Sequence, residues 1–161
     1  MMRIRFQKGK DKPSTLRCLR DDGTETWTTL KSITPFHDLT HYAVETTLEY
    51  WGAFYGLIAA GWNIDDFTTR GVDGSFPAMP DEAMQAESLV ILLQGEVVSE
   101  KEQQDLVALA GASCSAHNVR APEVSPAQLA AVRARIRSCY EQWDRLMPGE
   151  MLELAFPVAE A

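Results

Sequence analysis

A chain of 161 residues with 45% hydrophobic content can bury a core of its own, so residues 1–161 are predicted to form a single domain. The formal net charge of -8 argues against nucleic acid as the main partner, because phosphate binding requires a concentrated basic surface. Three cysteines in an odd, irregular set, and the lack of an apolar leader or membrane-length run, predict a cytoplasmic protein with no membrane partner.

The chain opens with a pattern typical of β-structure. Apolar and polar residues alternate from Met2 to Gln7, which is the period of a strand with one buried face. A second strand, TLRCLR, is separated from a third, TETWTTL, by Asp-Asp-Gly, and this sequence predicts a tight hairpin turn with Gly23 at positive φ. Three antiparallel strands are therefore expected at the start of the fold.

Helical segments follow, most of them starting at a capping residue or a proline and most of them ending near a glycine. The first is expected to have Thr34 as its N-cap, and the fourth depends on a capping box between Ser99 and Glu102. Gly95 and Gly111 are expected to end the third and fourth helices. The predicted ranges are about 34–50, 53–61, 80–95, 99–111 and 125–146.

The C-terminal segment returns to a strand pattern after a Pro-Gly break. Leu152, Leu154 and Phe156 alternate with other residues, so a last strand is expected to pair with one of the first three. The predicted fold class is therefore α+β, with a small antiparallel sheet of three N-terminal strands and one C-terminal strand packed against four or five helices.

Residues with chemical potential concentrate in the segment PFHDLTHYAVE. His37 and His41 lie four residues apart, so they are one turn apart on the same face of a helix. Two imidazoles at this spacing can bind one metal ion, as they do in the zinc-protease signature H-E-x-x-H. His37 and His41 are therefore predicted ligands of a divalent metal ion, with zinc as the first choice.

Two carboxylates of the same segment are predicted to handle protons. Asp38 stands where the zinc-protease signature has its general-base glutamate, but its side chain is one methylene shorter. Glu45 lies about 12 Å along the axis from His37, which favours a place as hydrogen-bond partner of His41 over a shared ligand position. Asp38 and Glu45 are the predicted catalytic residues, acting on a metal-activated water.

A third metal ligand is expected from elsewhere in the chain, and Cys114 with His117 in SCSAH has suitable spacing. The same residues also fit an ordinary loop after a helix end. A structural interpretation likewise competes for the histidine segment. In that interpretation Glu45 accepts a hydrogen bond from His41, and Asp38 is favoured in the first turn by the helix dipole.

Residues 35–61 resemble a group of small uncharacterised bacterial proteins with an H-D-L-x-H-x-x-V-E helix followed by a Gly/Phe-rich segment ending in A-x-G. The H-x-x-x-H element is also similar to that of zincins, although their glutamate and their distant third ligand are not matched. The bacterial resemblance implies no particular activity. The residues that carry it are His37, Asp38, Leu39, His41, Val44, Glu45, Phe54, Gly56, Ala59 and Gly61.

Two functions follow from these residues as hypotheses. The first is a metal-dependent hydrolase acting on a small molecule or peptide. The alternative is a non-catalytic binding or assembly module with a structural His/Glu cluster, and a homo-oligomer is compatible with both. The sequence has no Walker A loop, no G-x-G-x-x-G fingerprint and no G-x-S-x-G elbow, so nucleotide-dependent and serine-hydrolase chemistry have no support.

Overall fold

The computed structural model describes residues 1–158 and has the predicted α+β architecture, with an antiparallel sheet and five α-helices in that range. The strands are β1 (Met2–Gln7), β2 (Ser14–Leu19), β3 (Glu25–Leu30) and β4 (Met151–Phe156), in the spatial order β3-β2-β1-β4. The helices are α1 (Thr34–Leu48), α2 (Phe54–Ala59), α3 (Asp81–Ser99), α4 (Leu106–Ala116) and α5 (Pro126–Arg145), and a short 3₁₀ helix spans Ile64–Phe67.

The C-terminal strand completes the sheet, as its alternation predicts. β4 pairs antiparallel with β1, and this register places Leu152 opposite Phe6 and Leu154 opposite Ile4. The turn between β2 and β3 has Gly23 at a φ of 84°, a conformation that glycine adopts without strain. The opening three strands, the hairpin and the return of the chain end to the sheet are therefore confirmed.

Helix α1 lies at the centre of the fold. The hydroxyl of Tyr42 donates to the carbonyl of Ala155 in β4 at 3.1 Å, and the hydroxyls of Thr40 and Tyr140 in α5 are hydrogen-bonded at 2.5 Å. Helix α3 packs on α1 as well, and α4 packs on α3. Because neighbours enclose α1, polar side chains on it are buried and must find partners inside the protein.

Helix α2 has six residues and is too short to be stable by itself. Its C-terminal end is held by Arg20, which follows β2. The Arg20 Nε donates to the carbonyl of Ile58 at 2.7 Å, and a second guanidinium nitrogen donates to the carbonyl of Trp62. The start of α2 is hydrogen-bonded to the side chain of Glu45 in α1.

Three predicted helix boundaries in the middle of the chain are wrong. Helix α3 continues through Gly95 to Ser99 and ends where Glu100 adopts a left-handed φ of 54°. Ser99 is therefore the last residue of α3 and not the cap of α4, which begins at Leu106. Gly111 lies inside α4, where a Cβ atom would come within 3.1 Å of the Ala121 side chain, so glycine permits close packing there.

The predicted starts of the first and last helices are closer to the observed ones. Ile33, not Thr34, is the N-cap of α1, so this helix begins one residue earlier than its Thr-Pro sequence predicts. The start of α5 is as predicted, with Ser125 and Gln128 forming a reciprocal capping box. Within residues 1–158, no helix is both long enough and apolar enough to cross a membrane.

Candidate metal centre

Three side chains from two helices converge on one point. His37 and His41 come from α1 and Glu87 from α3, and one ligand atom of each lies within 4.8 Å of the others. The Glu87 Oε2 is 2.9 Å from the His41 Nε2 and 3.7 Å from the His37 Nε2. Two ligands of a tetrahedral zinc ion, each about 2.0 Å from it, lie roughly 3.3 Å apart. The group therefore has the spacing of a metal site.

The Nδ1 atom of each imidazole is hydrogen-bonded to a neighbouring side chain. His37 donates from Nδ1 to the side-chain oxygen of Gln94 at 3.1 Å, and His41 donates from Nδ1 to the Glu45 Oε1 at 3.1 Å. Hydrogen bonds of this kind fix the ring orientation of metal-binding histidines. Here they leave both Nε2 atoms directed toward Glu87.

Glu45 lies behind His41 and is completely buried. Its Oε2 accepts hydrogen bonds from the backbone N–H groups of Tyr55 at 2.8 Å and Gly56 at 3.2 Å, at the start of α2. A Cβ atom on Gly56 would lie 2.1 Å from the carbonyl oxygen of Trp51, so the close approach of this backbone requires glycine. Glu45 is thus placed to orient His41, in the position that the i, i+4 spacing predicts.

His41 lies between two carboxylates. Burial opposes the charged imidazole, but the hydrogen bonds to Glu45 and Glu87 outweigh burial and raise the pKa of His41 to about 10. The same hydrogen bond from His41 lowers the pKa of Glu87. The two carboxylates therefore favour the imidazolium form of His41 in the absence of an ion, and a metal ion must displace the proton from its Nε2.

The cluster opens into a pocket of about 570 Å³. The side chain of His41 is only 7% exposed, whereas those of His37 and Glu87 are 31% and 42% exposed. Catalytic zinc sites have three protein ligands and keep a further coordination position open, and a pocket of this size admits a small ligand. The arrangement therefore has the form of an open site.

Asp38 lines the same pocket and is largely buried. Burial raises the pKa of Asp38 to about 7, while His41 opposes the increase and Glu87 adds to it. A carboxyl group that titrates near neutral pH can both accept and release a proton. Asp38 is thus the carboxylate on the pocket wall, whereas Glu45 has no exposure to the pocket.

Cys114 and His117 are not part of the group formed by His37, His41 and Glu87. His117 lines the pocket, with its Nδ1 hydrogen-bonded to the carbonyl of Ser113 at 3.0 Å. The buried thiol of Cys114 lies 3.6 Å from the hydroxyl of Ser88. Metal binding by Cys114 or His117 stays a prediction, and the third side chain that the structure brings to the two histidines is Glu87.

Glu87 and Gln94 are the site residues that sequence reasoning missed. They lie seven residues apart, or about two helical turns, so they share a face of the predicted third helix. Two polar residues flanking the apolar stretch SLVILL are a signal of a special environment on that face. Nothing in the sequence shows that this face meets α1.

No family model matches this chain, and no curated protein or solved structure is significantly similar to it. The resemblance of residues 35–61 to small bacterial proteins stays a prediction. The basis for a function is therefore the geometry of the cluster and its pocket.

Proposed function

We propose that the chain binds one divalent metal ion through His37, His41 and Glu87 and uses it to hydrolyse a small molecule or peptide. The convergence of three ligand atoms within 4.8 Å at the wall of an open pocket supports this function. Two histidines and a carboxylate with a free coordination position form a ligand set of catalytic zinc sites, so zinc is the first choice of metal.

The roles of the side chains follow from their positions. A divalent ion held in this cluster would polarise a substrate carbonyl and activate water for attack on it. Glu45 holds the Nδ1 of His41 and thereby directs Nε2 to the ion. Asp38, on the pocket wall, accepts the proton of the attacking water and gives it to the leaving group, so that water is added across the bond that breaks.

Metal analysis tests the proposed site. Protein purified without chelator or histidine tag is expected to contain, or to take up from added Zn²⁺, Mn²⁺, Fe²⁺ or Ni²⁺, about one ion per chain. His37→Ala, His41→Ala and Glu87→Ala should lose stoichiometric metal while circular dichroism still reports a folded chain. Glu45→Gln should weaken metal affinity by roughly 10- to 100-fold, because it changes the partner of a ligand.

Two matched controls come from the same pocket. Thr68 and Asp81 line it but lie outside the group of three, so Thr68→Val and Asp81→Asn should retain the metal. Wild-type protein that neither contains nor takes up any of these ions would contradict the proposed function. Equal loss of metal in the control variants would place the site elsewhere.

A non-catalytic binding or assembly module is the second candidate, and one observation favours it. Both ring nitrogens of His41 already have carboxylate partners, Glu45 and Glu87, so the cluster is a complete hydrogen-bond network without an ion. In that case wild type and His41→Ala are both free of metal. The substitution would then only destabilise the fold, by about 1 to 3 kcal/mol, because it leaves Glu45 without its cation.

A further inference from the structure

We infer that the pocket beside the metal cluster binds ligands through an uncharged apolar group and discriminates against ligands with an anionic one. This inference rests on the proposed function, since the ion would hold the polar end of the ligand. It concerns the remaining walls of the pocket, which determine what the rest of the ligand can be.

An apolar wall begins at the metal cluster. The ring of Phe54 lies 5.6 Å from that of His41 and 4.8 Å from that of Phe67, measured between centroids. Met84 and Val119 also line the pocket. A ligand group in contact with this wall exchanges water for aromatic and aliphatic surface, which favours a ring or a branched chain.

In the metal-loaded protein the charged side chains of the pocket are acidic, because His41 would then hold the ion as a neutral imidazole. Its lining contains Asp38, Asp81 and Glu87, and among the described residues that line it there is no Lys or Arg. Proteins commonly recognise phosphate and carboxylate groups through Arg and Lys side chains. An anionic group away from the metal would meet carboxylates there without an opposing cation.

The start of α3 is the other feature of the pocket that could attract an anion, because helix N-termini carry partial positive charge. The first turn of α3 contains Asp81 and Glu82, which offset that charge. Glu82 is also engaged, since it accepts a hydrogen bond from the backbone N–H of Gly52 at 2.6 Å. The helix start therefore does not supply the missing cation.

Three hydroxamates with the same metal-binding head and different tails test this selectivity. Acetohydroxamate carries a methyl group, benzohydroxamate a neutral ring, and para-carboxybenzohydroxamate the same ring with a negative charge. Titration calorimetry on the metal-loaded protein should show benzohydroxamate binding about tenfold more tightly than acetohydroxamate. The para-carboxy compound should bind about tenfold more weakly than benzohydroxamate, because its charge enters an acidic, apolar pocket.

Two neighbouring threonines give a matched pair of variants. Thr68 lines this pocket, whereas Thr69 lies outside its lining, and both hydroxyls donate to the carbonyl of Asp65, at 3.2 Å and 2.8 Å. Thr68→Lys should improve binding of the para-carboxy compound relative to benzohydroxamate by about threefold, the size of an exposed ion pair. Thr69→Lys adds the same charge nearby and should leave that ratio unchanged.

The possible outcomes distinguish a failure of the proposed function from a failure of the ligand selectivity. A chain that takes up no metal overturns the proposed function and this inference with it. Metal-loaded protein that binds acetohydroxamate but binds the para-carboxy compound as tightly as benzohydroxamate overturns the selectivity alone. An equal gain of carboxylate affinity in Thr68→Lys and Thr69→Lys also overturns it, because the effect would then come from net charge and not from the pocket.

Discussion

Helix α3 takes part in two polar clusters that differ in their chemistry. Near its middle, Glu87 meets His37 and His41. In its last turns, Glu96 forms a two-point ion pair with Arg133 of α5, with nitrogen–oxygen distances of 2.9 Å and 2.6 Å. Both clusters join α3 to a neighbouring helix, so their positions alone do not distinguish a site from a structural contact.

The protons distinguish them. Arg133 stays charged at any accessible pH, and Glu96 additionally accepts the backbone N–H of Gln103 at 2.7 Å, which fixes the segment after α3. In the other cluster the imidazole of His41 can lose a proton, and Glu87 faces a pocket. Glu96 and Arg133 also line a pocket, of about 340 Å³, so the exchangeable protons of the histidine cluster, and not its pocket, distinguish it from the structural clamp formed by Glu96 and Arg133.

The largest expected effect comes from breaking this clamp. Arg133→Ala should lower the free energy of unfolding by about 3 kcal/mol, because Glu96 would remain buried without its cation. Urea denaturation measures the difference. Arg137→Ala, an exposed position on the same helix, should change stability by no more than about 0.5 kcal/mol. Metal content should be the same in both variants, and its loss in Arg133→Ala would remove the distinction between the clusters.

The next effect depends on pH and belongs to the histidine cluster alone. In metal-free protein, pairing with carboxylates raises the pKa of His41 from its usual 6.5 to about 10. The resulting stabilisation is complete below about pH 6.5 and is lost as pH rises toward 10. His41→Ala should therefore destabilise the protein by about 2 kcal/mol at pH 6 and by clearly less at pH 9.5.

Comparison with Arg133→Ala at the same two pH values provides the control. Wild type and both variants are denatured in the presence of chelator at each pH. The titration of other groups then cancels when the stability of each variant is subtracted from that of wild type. The cost of Arg133→Ala should stay constant, because guanidinium does not titrate in this range. A cost of His41→Ala that does not fall with pH would show that His41 is not held as an imidazolium.

The smallest effect is expected at the rim of the clamp. Glu102 lies 3.5 Å from Arg133 and its side chain is 68% exposed. Glu102→Gln should change the free energy of unfolding by about 0.5 kcal/mol or less, because water and salt screen exposed ion pairs. A larger loss of stability, measured by urea denaturation, would show that Glu102 is also part of the clamp.

The sequence predicted the sheet and the helix that carries the histidines because both depend on local periodicity. Strand alternation places Leu152 and Phe156 on a buried face, and i, i+4 spacing brings His37, His41 and Glu45 to one side of α1. Glu87 and Gln94 could not be predicted as their partners. Their contact with α1 depends on how two helices pack, and periodicity within each helix does not determine that.

The predicted end of α3 at Gly95 was wrong for a related reason. Gly95 costs a helix interior only about 1 kcal/mol relative to alanine, which tertiary contacts can outweigh. Glu96 follows directly, and its ion pair with Arg133 requires that the helix continue past the glycine. A local helix-ending signal was therefore overridden by a contact with a residue 37 positions away.

The carboxylate of Glu45 accepts hydrogen bonds from the backbone N–H groups of Tyr55 and Gly56. These amides are separated from the His41 ring by a single carboxylate, so a change of charge on that ring alters the electron density around their protons. Arg20 fixes the other end of α2, which keeps both amides in place while this happens. The resonances of Tyr55 and Gly56 are therefore natural nuclear magnetic resonance reporters of the charge state of His41, and no attached probe is needed to read it.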